Sequence, residues 1–265
     1  MNKDIKEITE QLEKGVKEVF TSGKYKEYLD FMCKFHNYSV NNIILIMMQN
    51  PQASLVAGYK AWQTKFKRQV RKGEKGMTIL APCPHKRTIE EDGEEKEIIW
   101  NSFRAVKVFD ISQTDGDAVP EIATTLSGDV KNYEELFDRL KNASPVPVSF
   151  EKMGSANGYF HSVENRIAIK EGMSKEQTIK TAIHEIAHAM LHCENGEEEE
   201  ADRNTREVQA ESVAYTVCKM LGIDSSDYSF GYVAGWSKDK EVKELSESME
   251  VIRRTATEII DKIRK

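Results

Sequence analysis

The run 174-SKEQTIKTAIHEIAHAMLH-192 constrains this chain more than any other stretch, because it sets His184 and His188 four residues apart with Glu185 beside the first. Ser174 followed by Gln177 three residues later marks a helix start in the manner of a capping box. Ile183, Ile186, Ala187, Met190 and Leu191 make the helix largely apolar, so it is expected to be buried. Residues four apart on a helix share a face, with Cβ atoms ~5–6 Å apart, and one metal ion can take both imidazoles. Glu185 sits one step round, where its carboxylate can take a proton from a metal-activated water without being a ligand. Buried imidazoles without a partner are uncommon, which favours a metal over a coincidence of composition.

A third ligand is expected on a following element. His192 lies about 12 Å along the axis from His184, too far to share its metal on a straight helix. Glu194 and Glu197–Glu200 read as a solvated acidic loop. In 205-TREVQAESVAYTVCKMLG-222, Glu207 and Glu211 fall on the same stripe as Ala210, Ala214, Val217 and Leu221. Two carboxylates on an otherwise apolar face are costly unless something positive meets them, which leaves Glu207 and Glu211 as the candidates. His-Glu-x-x-His followed by Glu-x-x-x-acid resembles the glutamate zincins. That resemblance implies Zn²⁺ held by His184, His188 and Glu207, with Glu185 as general base and Glu211 bracing a ligand histidine. Glu211 stands where that group often has Asp. An oxyanion donor is also expected, with Tyr159, His161 and Tyr215 as candidates, and the strand around Gly158–Phe160 is a candidate edge for an extended peptide.

A second feature points elsewhere. The stretch 59-YKAWQTKFKRQVRKGEKG-76 carries seven basic residues (Lys60, Lys65, Lys67, Arg68, Arg71, Lys72, Lys75) against one acid, Glu74, interleaved with Tyr59, Trp62 and Phe66. Cations for phosphates and rings for bases are what single-stranded nucleic acid needs. The competing reading is an exposed basic helix whose Trp62 and Phe66 plug into a core. The ordered set 38-YSVNNIILIMMQNPQASLVAGYKAWQ-63, 70-VRKGEKGMTILAP-82 and 106-VKVFDISQT-114 resembles the N-terminal domain of ArdC-like antirestriction proteins. Lys67 stands where that family often has Gly. The resemblance implies a domain that binds single-stranded DNA, ahead of a zincin-like metallopeptidase domain, in a protein carried by mobile elements. The C-terminal half is also similar to ImmA/IrrE-type proteases, which act on repressors.

The remaining sequence bounds these readings. Residues 1–125 carry 19 Lys+Arg against 18 Asp+Glu and residues 126–265 carry 19 against 26, a segregation that suggests two modules with different partners. Residues 112–129, rich in Ser, Thr, Gly and Asp, read as the linker. The longest apolar run, 43-IILIMM-48, is far short of the ~18 residues a membrane span needs. The start shows no apolar segment for export. Cys33, Cys83, Cys193 and Cys218 are widely spaced, which reads as reduced thiols in the cytoplasm. The expectation is an α+β protein of two domains. Residues 1–125 form N-terminal helices with a small antiparallel sheet, and 126–265 form a zincin-like helical domain with a short sheet. The function expected is a single-stranded-DNA-binding antirestriction protein with a zinc peptidase domain acting on a peptide or protein, with no membrane partner. The alternatives are a regulatory metalloprotease that cleaves a repressor, and a DNA-binding protein with a non-catalytic zinc site.

Overall fold

The computed structural model describes residues 3–91, 94–119, 133–191 and 202–265. In the N-terminal half the elements are α1 (Lys3–Thr21), α2 (Tyr25–Phe35), α3 (Val40–Gln49), β1 (Val56–Gly58), α4 (Tyr59–Thr64), β2 (Arg68–Val70), β3 (Met77–Glu91), β4 (Glu94–Asp110) and β5 (Thr114–Gly116). In the C-terminal half they are α5 (Tyr133–Ala143), β6 (Val148–Glu151), β7 (Gly158–His161), β8 (Arg166–Lys170), α6 (Lys175–Leu191), α7 (Arg203–Met220), α8 (Val233–Trp236) and α9 (Val242–Arg264). The fold is mixed α and β, with small sheets. Met1–Gly15 with Asn41–Pro120 form one compact unit, and Val16–Val40 with Glu121–Lys265 form the other.

In the first unit the apolar run of α3 buries Ile43, Ile44, Leu45 and Ile46. Gly15 lets α1 come close: a Cβ there would meet Met48 Sδ at 2.5 Å and Ile44 Cγ2 at 2.8 Å. The sheet runs in the order β1-β4-β3, antiparallel throughout. The outer edge of β3 is closed by side chains. The Asn42 amide bonds both the N–H and the C=O of Leu80, each at 2.9 Å. The Gln49 amide does the same for Thr78, at 2.8 and 2.9 Å. Further out, the same outward-facing positions are Pro82 and Pro84, which have no N–H to offer a neighbour.

The ladder of β3 with β4 continues to Glu91 and Glu94, so positions 88–91 and 94–97, acidic as they are, are strand. The β-branched Thr88, Ile89, Ile98 and Ile99 suit that extension. The expected linker is also structured at its start. Thr114–Gly116 pairs with Arg68–Val70, and the Arg68 guanidinium donates to the carbonyls of Thr114 and Gly116 at 2.8 and 3.0 Å. Lys67 sits at φ +55, the left-handed region where glycine is the easier residue.

In the second unit the sheet order is β6-β8-β7, with β6 parallel and β7 antiparallel to β8. Central β8 buries Ile167, Ala168 and Ile169. Leu245, Met249, Ile252, Ala256, Ile259 and Ile263 of α9, spaced three and four residues apart, are all buried within this unit, so this stripe is core. Residues 16–40 belong here because α2 packs on α7. Tyr25 Oη lies 2.9 Å from Ser212 Oγ, and Tyr215 donates to Asp30 at 2.6 Å.

Candidate metal centre and nucleic-acid surface

Helix α6 starts where Ser174 Oγ accepts the Gln177 amide at 3.2 Å. The reciprocal half of the capping box is not made, since the Gln177 side chain runs forward to Thr181 Oγ1 at 3.3 Å. Three turns along, His184 and His188 bring their Nε2 atoms to 3.1 Å of each other. Helix α7, capped by Asp202 accepting from Thr205 N at 3.0 Å, carries Glu207 to this pair. Glu207 Oε2 lies 3.8 Å from each Nε2. A tetrahedral site with bonds of ~2.0–2.1 Å needs ligand atoms about 3.3 Å apart. The three donors bracket that figure, all within 4.8 Å of one another. Two imidazoles and a carboxylate fit a divalent cation such as Zn²⁺ in both size and chemistry.

The surrounding carboxylates differ in environment. Glu211 Oε2 is 3.4 Å from His184 Nδ1, on the ring nitrogen that Glu207 does not face. Burial works against protonation of His184, but the Glu211 hydrogen bond and the charges of Glu185, Glu211 and Glu207 outweigh it and raise its pKa. The hydrogen bond from His188 lowers that of Glu207. Glu185 is only 8% exposed, and burial raises its pKa against the pull of His184, His188 and the Phe160 amide, whose N–H it accepts. Strand β7 lies against α6 here: a Cβ on Gly158 would meet Thr181 Cγ2 at 2.6 Å and Glu185 Cγ at 3.2 Å. In a strand, alternate residues face opposite sides, so Tyr159 and His161 point away from this helix.

None of the three expected oxyanion donors lines the cleft beside the histidines. Tyr215 is fully buried with its hydroxyl committed to Asp30. Tyr159 donates to Glu151 at 2.9 Å, and His161 Nδ1 accepts the Glu164 amide at 3.1 Å. The cleft, of about 330 Å³, is lined by His184, Glu185, Glu211, Asn157 and Gly158, and by residues not foreseen: Gln177, Lys180, Asp227 and Tyr228. Lys180 Nζ pairs with Asp227 at 2.8 Å. Lys180 stands four residues before His184, so helical spacing could have flagged it. Asp227 and Tyr228 follow α7 and carry no such signal. His192, Glu194 and Glu197–Glu200 lie outside the described residues.

The basic stretch divides in the structure. Trp62 is fully buried, packed with Ala57, Val70 and Phe66, and its indole donates to the Phe109 carbonyl at 2.9 Å. The expectation that Trp62 stacks on a base is therefore corrected: the ring is core. Arg68 is occupied by backbone carbonyls. Arg71 pairs with Glu74 at 2.7 Å and donates to the Ser112 carbonyl at 2.6 Å. Tyr59, Lys60, Lys65, Lys67, Lys72 and Lys75 remain exposed.

Known proteins share both halves. Residues 2–109 match the family model described as the N-terminal domain of anti-restriction factor ArdC. Residues 142–254 match a peptidase family model described as the IrrE N-terminal-like domain. A Bacillus anthracis protein described as uncharacterized is 27% identical over 308 aligned positions, which take in 100% of this chain and 52% of that protein. The chain thus spans about half the length of that relative. Two crystal structures of the antirestriction protein ArdC from a plasmid, one metal-free and one Mn(II)-bound, share the fold. Their TM-scores are 0.56 and 0.53, at 21% and 20% identity, over 86% and 85% of this chain and 85% of each of those. Residues 2–109 thus match an ArdC N-terminal domain and residues 142–254 an IrrE N-terminal-like domain, in that order, and over most of its length the chain is similar in fold to the ArdC structures.

Proposed function

We propose that this chain is an antirestriction protein of a mobile element. It binds single-stranded DNA through its N-terminal unit and carries a zinc-dependent peptidase site in its C-terminal unit, acting in the cytoplasm. Among the described residues no helix is long and apolar enough to cross a membrane. The observation that carries the peptidase reading is Glu185, a buried carboxylate set beside a three-donor cluster. A structural metal site has no use for a base there.

In this reading His184, His188 and Glu207 hold the ion and Glu211 fixes the His184 ring. A bound ion there would supply Lewis-acid chemistry, polarising a scissile carbonyl and acidifying a water molecule. Glu185 takes the water's proton on its carboxylate and passes it to the leaving amine. Its raised pKa suits a group that must both accept and release a proton, and the Phe160 amide aims it. The free edge of β7 at Gly158 aligns an extended peptide by main-chain hydrogen bonds. Tyr228, at the cleft wall, replaces Tyr159, His161 and Tyr215 as the oxyanion candidate.

The test is a trap. Glu185→Gln chain recovered from cells should keep its metal, lose hydrolysis and retain a bound polypeptide. A Glu185→Gln chain that loses its metal, or a parent chain that cleaves nothing the trap captures, sinks the peptidase reading and leaves a non-catalytic site. Protection of incoming DNA should survive Glu185→Gln, because strand binding needs no hydrolysis. The match over residues 142–254 to the IrrE-like domain favours a second reading, a regulatory protease. A trapped repressor, with protection lost in Glu185→Gln, would replace the first reading by it.

A further inference from the structure

Trp100 and Phe103 are 47% and 56% exposed, large rings that a folded chain ordinarily withdraws from water. They lie three residues apart on β4, so alternation sets them on opposite faces of the β3–β4 ribbon. Trp100 already stacks on His85 across the ladder, with centroids 5.5 Å apart and planes 20° from parallel. His85 is itself fixed by Ser102 at 2.7 Å. A ring held this way is ready to take a second flat partner on its open side.

The charge around these rings has one sign. Residues 77–86 and 100–107 contain no acid, while Lys86, Arg104 and Lys107 are exposed. Towards the hairpin end, residues 90–97 carry six carboxylates against one lysine, which bounds the cationic segment.

The two long edges of the ribbon also differ. That of β3 is closed from Thr78 to Pro84 by Asn42, Gln49 and two prolines. That of β4 is covered by β1 only at Val108–Asp110. At Phe103 and Ala105 the backbone N–H and C=O groups turn away from β3 and meet no strand among the described residues.

We propose that the open edge of β4 is a binding site for a single strand of nucleic acid. Trp100 and Phe103 are its base-stacking platforms, and Arg104 takes a phosphate. This rests on the reading that the N-terminal unit binds single-stranded DNA, and it moves the platform from buried Trp62 to the ribbon. Rings on both sides of one cationic edge suit a chain of unpaired bases better than a peptide strand, which would use the backbone groups and ignore the rings.

The test uses the full chain with a labelled oligothymidylate, its affinity followed by anisotropy across a salt series, and intrinsic fluorescence read in parallel. Trp100→Ala and Phe103→Ala should each weaken binding roughly 5- to 150-fold, the worth of one stacked base, with the salt slope unchanged. Trp100→Phe should keep most of the affinity. Arg104→Ala should reduce the salt slope by about one. Binding should quench emission in the parent and not in Trp100→Phe. A Trp100→Ala, Phe103→Ala double variant that binds like the parent overturns the ribbon site while leaving single-strand binding standing. Equal losses in Trp100→Phe and Trp100→Ala also overturn it. A parent chain that binds single strands no better than duplex removes the underlying reading and this site with it.

Discussion

Glu211 reaches the Nδ1 nitrogen of His184 at 3.4 Å, while Nε2 of the same ring faces Glu207 at 3.8 Å. The two carboxylates of α7, one turn apart, thus divide the two nitrogens of one imidazole between them. Removing Glu211 should weaken a metal held by His184 without abolishing it. For Glu211→Gln a 10- to 100-fold loss of affinity is expected, roughly the worth of such a brace. His184→Ala, His188→Ala and Glu207→Gln should lose the metal outright. Metal titration of the purified variants decides it. Full occupancy in Glu207→Gln with loss in Glu211→Gln would exchange the two roles.

Gly158→Ala should leave metal affinity near that of the parent but cut hydrolysis sharply. The added methyl would fall 2.6 Å from Thr181 Cγ2, 3.1 Å from the Ala168 carbonyl and 3.2 Å from Glu185 Cγ. Strand β7 or the Glu185 side chain must then shift. A misplacement of about 1 Å at a proton carrier costs on the order of 10²-fold in rate. Unchanged turnover with bound metal would mean that β7 does not position Glu185.

Tyr215→Phe separates stability from chemistry. The hydroxyl bonds Asp30 at 2.6 Å, and Asp30 also meets Lys219 at 3.2 Å. Losing it should cost about 1.5 kcal/mol, at the low end for a charged partner because Asp30 keeps solvent exposure and Lys219. Turnover should be unaffected. A rate loss larger than the stability loss would restore Tyr215 as a catalytic candidate.

Asp110 makes the first unit sensitive to acid. Its carboxylate, 1% exposed, accepts the amides of Ser54, Leu55 and Ser112 at 2.8, 3.1 and 2.9 Å. Burial alone would raise its pKa, and these hydrogen bonds outweigh it and lower the pKa below the usual carboxylate value. A lowered folded-state pKa contributes stability that is present above the unfolded value of about 3.9 and is lost as pH falls through the folded one. Denaturation followed by Trp62 emission should therefore show the loss setting in below about pH 4. Asp110→Asn should abolish that pH step and cost about 1–3 kcal/mol at neutral pH. A pH step that persists in Asp110→Asn would assign it to another group.

The sequence made the helix carrying His184 and His188 and the stripe carrying Glu207 and Glu211 legible, because both depend on a local period of 3.6 residues. Composition could not say which way the rings at 59–66 would turn. That depends on Ala57, Val70 and Phe109, which meet Trp62 only once the sheet forms. The same holds for Asp227 and Tyr228, brought to the cleft by the chain path after α7. Lys67 was visible as an oddity, and its positive φ supplies the reason. The reach of the β3–β4 ribbon was missed because its acidic end reads as a turn, although its β-branched residues carry a ladder.

The clamps on β3 decide how copies of this chain could meet. Indefinite stacking of sheets into a fibre requires two open edges per molecule, one to receive and one to offer. Asn42, Gln49, Pro82 and Pro84 close the β3 edge from Thr78 to Pro84. Over that segment, edge-to-edge contact through this sheet can join only β4 to β4, and the pair has no second edge there from which to propagate.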